Sequence, residues 1–204
     1  VAEQNLVTVA AGLATYGKIP FITSYATFSP GRNWEQIRTT VCINDVPVNV
    51  IGCHAGLTVG PDGATHQALE DVAIMRTLPH MTVIVPCDSE EARKATVAIG
   101  SHPDWVHKPA YLRLGREKMP QVTTEATPFE IGKAYYVYES ERSDVTIVAC
   151  GSLVYEAVVA AEALGHEGIN VDVINLHTIK PINRETIIAK AKKTGALVTA
   201  EEHQ

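Results

Sequence analysis

At 204 residues, 46% hydrophobic and 20% charged, the chain has apolar content for one substantial core or two small ones, and its composition argues against disorder. A net charge of −6 with acids and bases interleaved argues against nucleic acid as the main partner, which would need a basic stripe. No apolar run approaches the roughly 20 residues of a membrane-spanning helix and no charged leader opens the chain. Cys42, Cys53, Cys87 and Cys150 lack C-x-x-C spacing and read as reduced, mostly buried thiols, so the expected location is cytoplasmic.

Ala2 to Ala14 carries apolar residues at helical spacing, closed by Gly17 and Pro20. Ile19 to Ser24 predicts a short strand. Arg32 to Ile43 returns to helical spacing, and Val46 to Cys53 is the β-branched run of a buried parallel strand. Gln67 to Leu78 predicts a helix with Leu69, Val72, Ala73 and Met75 inward, and Met81 to Pro86 the next strand. Asp88, with Glu91 at the capping-box position, opens a helix reaching about Gly100, and Pro109 to Leu114 is the last strand of the unit. Strand and helix alternating in this way predict an α/β fold with a doubly wound, mostly parallel sheet.

From Gly115 to about Ile131 the periodicity breaks into a stretch rich in Pro, Thr and Glu, which reads as a linker. The expected domains are residues 1–116 and 132–204, with 117–131 between them. The second, smaller α/β unit has strands Val145 to Cys150 and Val171 to Leu176 flanking the helix Tyr155 to Leu164. The helix Asn183 to Lys193 and the strand Ala196 to Ala200 follow. Both ends of the sequence read as cut through a domain.

The densest chemistry lies in Gly52-Cys53-His54 through Asp62-Gly63-Ala64-Thr65-His66-Gln67, directly after a predicted strand. Loops leaving the carboxyl ends of strands are where open α/β sheets present polar groups to ligands. His54, Asp62 and His66 suit metal ligation, acid/base or substrate work, or a structural cluster; metal is the weakest, since no further Cys or His stands at ligand spacing. Tyr25, Phe28 and Trp34 concentrate aromatics in a chain that is 6% aromatic, as a core contact or as a flat wall for a ring-bearing ligand. Arg113 and Arg116 bracket a strand end and suit either a phosphate or a salt bridge. Glu3, read alone, is an exposed first-turn acid favoured by the helix dipole. Gly60-Pro61-Asp62-Gly63 matches neither the dinucleotide nor the P-loop fingerprint.

Read together, these segments resemble the pyrimidine-binding and C-terminal domains of transketolase. The likeness runs through Val1-Ala2-Glu3-Gln4-Asn5, Tyr25-Ala26-Thr27-Phe28, Trp34-Glu35-Gln36-Ile37-Arg38, His54 to Gln67, Met81 to Pro86, Leu112 to Arg116 and Thr178-Ile179-Lys180-Pro181. The resemblance implies a thiamine diphosphate enzyme that transfers a two-carbon ketol unit from a ketose phosphate to an aldose phosphate. Glu3 would be buried, bonded to pyrimidine N1′ of the cofactor, and Phe28 would stack on that ring with Tyr25 and Trp34 completing the wall. His54 and Arg116 would meet the acceptor's phosphate and hydroxyls, Asp62 the donor's C2 hydroxyl, and His66 the reacting carbonyl as donor or proton shuttle.

The sequence lacks a Gly-Asp-Gly followed by Asn-Asn, the family's pattern for a diphosphate-bound Mg²⁺. The resemblance therefore implies the C-terminal subunit of a split enzyme, with an N-terminal partner subunit supplying the Mg²⁺ and diphosphate ligands, and with the cofactor at an interface between subunits. The nearest rival is 1-deoxyxylulose-5-phosphate synthase, which places Arg at the position of His54 and Arg-Tyr-Pro-Arg-Gly-Asn at Arg113-Leu114-Gly115-Arg116-Glu117-Lys118. The β subunit of a 2-oxoacid dehydrogenase first component and a non-catalytic partner-binding subunit are weaker rivals.

Overall fold

The computed structural model describes residues 2–204, which form two α/β units, each with its own sheet. Helix α1 (Glu3–Thr15) buries Val7, Ala10, Ala11 and Ala14, and the small side chains let it lie close to its neighbours. Strand β1 (Phe21–Tyr25) leads to α2 (Trp34–Gln36), which runs on as a π-helical turn over Ile37–Cys42. Strand β2 (Asn49–Cys53) is followed by a 3₁₀ turn (Leu57–Asp62), α3 (Asp71–Arg76), β3 (Thr82–Ile84), α4 (Ser89–Ser101) and β4 (Ala110–Arg113). The strands lie in the order β1-β2-β4-β3 and pair in parallel, so their carboxyl ends share one edge.

The second unit begins with β5 (Tyr135–Tyr138) and β6 (Val145–Ala149), followed by α5 (Leu153–His166) and β7 (Val171–Asn175). After β8 (Thr178–Lys180) come α6 (Arg184–Thr194) and β9 (Leu197–Ala200). Its sheet runs β5-β7-β6-β9 with β5 antiparallel. Strand β8 leaves this unit and closes the first sheet, antiparallel to β3, and Val85 N–H donates to His177 O at 2.7 Å alongside it. The sequence reading assigned neither β5 nor β8: β8 is three residues long and ends at Pro181, too short for a periodic signal.

Two other expectations change. The helix predicted from Gln67 to Leu78 is confined to Asp71–Arg76, because residues 63–68 bond as turns, with His66 N–H on Gly63 O at 2.9 Å and Gly56 N–H on Ala68 O at 2.9 Å. The stretch read as a linker is a strap tied to α4. Asp88 caps that helix by accepting from Glu91 N–H at 2.9 Å, and also accepts from Val122 N–H at 2.9 Å, Thr123 N–H at 2.6 Å and Thr123 Oγ1 at 2.8 Å. Lys94 Nζ donates to the carbonyls of Thr124 and Thr127, both at 2.6 Å. The Asp88 cap stands as the sequence reads it, with Glu91 Oε2 reaching back to Cys87 N–H at 2.8 Å.

Candidate active site

The parallel first sheet carries Tyr25 at the end of β1, Cys53 and His54 at the end of β2, and Arg113 at the end of β4. Four rings gather there. Tyr25 stacks on His54 with centroids 4.2 Å apart and planes 6° from parallel, and lies 6.1 Å from Phe28 at 15°. His66 meets both edge-on, 5.9 Å from Tyr25 and 5.3 Å from Phe28. Spacings of this kind are the favourable offset and edge-to-face ones, so the cluster holds its own shape.

Glu3 reaches the same place from the start of α1. Its register with Val7, Ala10 and Ala14 puts it on the helix's inner face, and the residue is 6% exposed, against the sequence reading of it alone as an exposed acid. Arg32 Nη1 donates to Glu3 Oε2 at 3.0 Å, and the Arg32 guanidinium carbon lies 4.7 Å from the centroid of the Phe28 ring. Buried Asn33 fixes the corner by donating to Glu3 O at 2.9 Å and to Ser29 Oγ at 3.1 Å. Hydrogen bonds from Glu3's own backbone N–H and from Arg32 help hold its carboxyl below the usual carboxylate range, and burial opposes them.

The loop after β2 is held in backbone conformations that side chains rarely adopt: φ is +51° at His54, +83° at Gly56, +68° at Gly60 and +75° at Gly63. Glycine relieves the last three, whereas His54 accepts the strain at the point where its ring meets Tyr25. His54 Nδ1 is buried without a hydrogen-bond partner among the described residues. His66 Nδ1 shares a hydrogen bond with Thr65 Oγ1 at 2.8 Å. Arg116 Nη1 donates to Val59 O at 2.5 Å and lies 3.9 Å from Asp62 Oδ1, an ion pair with each side chain about one-third exposed.

The structure brings Glu3, Tyr25, Phe28, His54 and His66 together, with Asp62 of the turn after β2 paired to Arg116 just beyond β4. It does not bring Trp34 to the rings: its indole packs on the core of the first unit and donates to Ile74 O at 3.0 Å. Arg113 is buried in ion pairing, 4% exposed, with Nε on Asp71 Oδ2 at 3.0 Å and Nη2 on Glu202 O at 3.0 Å. Asp71 also accepts from Tyr111 OH at 2.6 Å, and deep burial, with the neighbouring carboxylate adding to it, pushes the Tyr111 phenol far up.

Glu202, which the sequence reading assigned no role, acts as a clasp between the units. Its Oε1 accepts from Thr58 N–H at 2.6 Å, and its Oε2 lies 3.3 Å from Ser152 Oγ and 3.5 Å from Arg113 Nη1. Cys150, Glu201 and His203 stand close enough to share a cation. Burial, however, pushes the Cys150 thiol up to about 12, and Glu201 already pairs with His203 at 3.1 Å.

The fold and this edge define an α/β protein whose ligand site is built from loops at the carboxyl ends of parallel strands, with a buried carboxylate facing aromatic rings. The family model of the transketolase pyrimidine binding domain matches residues 1–121, and that of the transketolase C-terminal domain matches residues 132–204. The chain belongs to the transketolase family. It is 43% identical over 98% of its length to the 6-deoxy-6-sulfo-D-fructose transketolase subunit SqwH of Clostridium sp. (strain MSTE9), covering 61% of that protein. It is 42% identical over its whole length to a putative transketolase C-terminal section of Methanocaldococcus jannaschii, covering 62% of it. Among solved structures, a split gene transketolase described as an inactive beta4 tetramer superposes with a TM-score of 0.86 at 44% identity, over 100% of this chain and 64% of that one. The chain thus spans about three fifths of the length of these relatives. No helix among the described residues is long and apolar enough to cross a membrane.

Proposed function

We propose that this chain is the C-terminal subunit of a split transketolase, which moves a two-carbon ketol unit from a ketose phosphate to an aldose phosphate. The carrying observation is that Glu3 and Phe28 face one another at the carboxyl edge, bridged by a single planar guanidinium, with His66 edge-on to the same ring. A flat group that donates to a carboxylate while stacked on a ring is already accommodated there, so these residues fit an aminopyrimidine.

Glu3 would hold the pyrimidine of thiamine diphosphate by its ring nitrogen, with Phe28 against the ring face and Tyr25 behind it. When bound, that cofactor supplies the carbon nucleophile that takes up and passes on the ketol group. The chain's own residues bind and orient the sugar. His54, with a buried ring nitrogen still to be satisfied, and Arg116 take the acceptor's phosphate and hydroxyls, and Asp62 accepts from the donor's C2 hydroxyl. His66, edge-on to both Tyr25 and Phe28, exchanges the proton at the reacting carbonyl oxygen. The Mg²⁺ and diphosphate ligands come from an N-terminal partner subunit; the likeness to a transketolase subunit and to a transketolase C-terminal section supports that division.

The test is two-carbon transfer from xylulose 5-phosphate to ribose 5-phosphate by the chain mixed with its partner, thiamine diphosphate and Mg²⁺, with Glu3→Ala and His66→Ala alongside. Transfer by the mixture, lost in Glu3→Ala, is expected. Absence of transfer together with turnover of pyruvate and glyceraldehyde 3-phosphate would reassign the chain to the deoxyxylulose phosphate synthase type.

A further inference from the structure

We propose that Arg32 is a built-in occupant of the pyrimidine site, a side chain that must leave before an aminopyrimidine can enter. This inference rests on the reading of Glu3 and Phe28 given above. Both contacts that such a ring would need are made here by one residue. The guanidinium carbon lies 4.7 Å from the Phe28 centroid, inside the range of cation–π attraction, and Nη1 is 3.0 Å from Glu3 Oε2. A guanidinium shares with an aminopyrimidine the features this corner selects: a flat delocalised face and N–H donors in its plane.

The two sides of the pair differ in a way that suits displacement. The Glu3 side chain is 8% exposed and fixed in the helix, whereas the Arg32 side chain is 44% exposed and reaches in from solvent. Arg32 can therefore swing outward without disturbing the core, while Asn33, one residue on, keeps the backbone anchored through Glu3 O and Ser29 Oγ. Arg32 gives the buried carboxylate a cationic partner that reaches it from the solvent side. The same pairing competes with the ligand. An arrangement closed in about nine molecules of ten weakens the apparent affinity about tenfold, and removing the guanidinium restores it.

The experiment titrates thiamine diphosphate at fixed Mg²⁺ into the complex of this chain with its partner subunit, followed by calorimetry, for wild type, Arg32→Gln, Arg32→Lys and Glu3→Gln. Arg32→Gln is expected to bind about three- to tenfold more tightly than wild type, by relief of that competition. Arg32→Lys, which keeps the charge and loses the flat face, falls between them, and Glu3→Gln binds more weakly. Equal or weaker binding by Arg32→Gln overturns the proposal. A second reading needs no variant: phenylglyoxal modification of wild-type Arg32, quantified by peptide mass, rises when the cofactor is added if Arg32 is released, and unchanged or lower modification overturns the release. A folded wild-type complex that binds no thiamine diphosphate removes the cofactor reading itself and this inference with it. Tight wild-type binding without the Arg32 effects removes this inference alone.

Discussion

Gly56→Ala and Glu202→Ala, made singly and together, test whether the second unit holds the ligand loop of the first. Gly56 stands at φ +83° and ψ −173°, a conformation essentially reserved for glycine, and a Cβ there would lie 2.3 Å from Glu202 Cδ. The backbone strain alone costs about 1–3 kcal/mol. Glu202→Ala removes the charged acceptor of Thr58 N–H, a loss of about 1.5–3 kcal/mol. Arg113 keeps Asp71 and the main-chain carbonyl of Glu202, so no bare charge remains to enlarge that loss. Gly56→Ala must both strain the backbone and expel the carboxylate, for a total of about 2.5–6 kcal/mol. The double variant expels nothing further, so it should be no worse than Gly56→Ala, leaving a coupling equal to the Glu202→Ala loss, about 1.5–3 kcal/mol. Urea unfolding followed by the fluorescence of Trp34 and Trp105, both in the first unit, measures all four chains. Strict additivity, or a Glu202→Ala loss below about 0.5 kcal/mol, would refute the clasp.

Asp88→Ala should cost about 2–4 kcal/mol, since it unties both the start of α4 and the strap at Val122 and Thr123. Burial raises the Asp88 carboxyl, but the donors from Glu91, Thr123 and Val122 outweigh it and leave it lowered. Its contribution is therefore present above the ordinary carboxylate range and lost as pH falls, so acid denaturation curves of wild type and variant should converge at low pH. Burial lowers the His177 imidazole from 6.5 to about 4, so the unfolded chain binds the proton first and stability falls as pH drops between those values. His177→Phe should remove about 3 kcal/mol of that slope in urea titrations. Glu91, raised by burial, acts in the opposite sense, so the difference between the two chains is the quantity to compare. Trp34→Phe should lower stability by about 1–2 kcal/mol through the lost bond to Ile74 O, with cofactor affinity changed by less than about twofold. A large affinity loss in that variant would return Trp34 to the ring wall.

What the sequence makes legible is local and periodic. The Asp88 cap, the buried β-branched strands and the position of the His54 to His66 loop all follow from neighbours a few residues apart. Even the burial of Glu3 is written in its phase, since it falls four residues before Val7 and seven before Ala10 on one helical face. Trp34 defeats the same reasoning, because spacing places it beside the aromatics in sequence and cannot say which way the indole turns. Arg113 is left open for a related reason: a strand's carboxyl end permits both a ligand contact and an ion pair, and the partners that decide it, Asp71 and Glu202, lie 42 and 89 residues away.

Those distant partners explain why the second unit bears on the site. The loop from His54 to Gly63 holds four positive φ angles, so its conformation is unfavourable for a free chain and must be imposed from outside. Part of that constraint is local, from Ala68 O on Gly56 N–H, and part comes from Glu202 on Thr58 N–H, 144 residues away. Strand β8 and the Val85 to His177 bond fasten the same two units beside β3, and Asn175 Nδ2 reaches Glu91 Oε1 at 2.8 Å. The ligand edge and the smaller sheet are thus joined by main-chain pairing, by a buried amide–carboxylate bond and by the Arg113–Glu202 pair. Loosening the second unit therefore relaxes the backbone that points His54 at Tyr25.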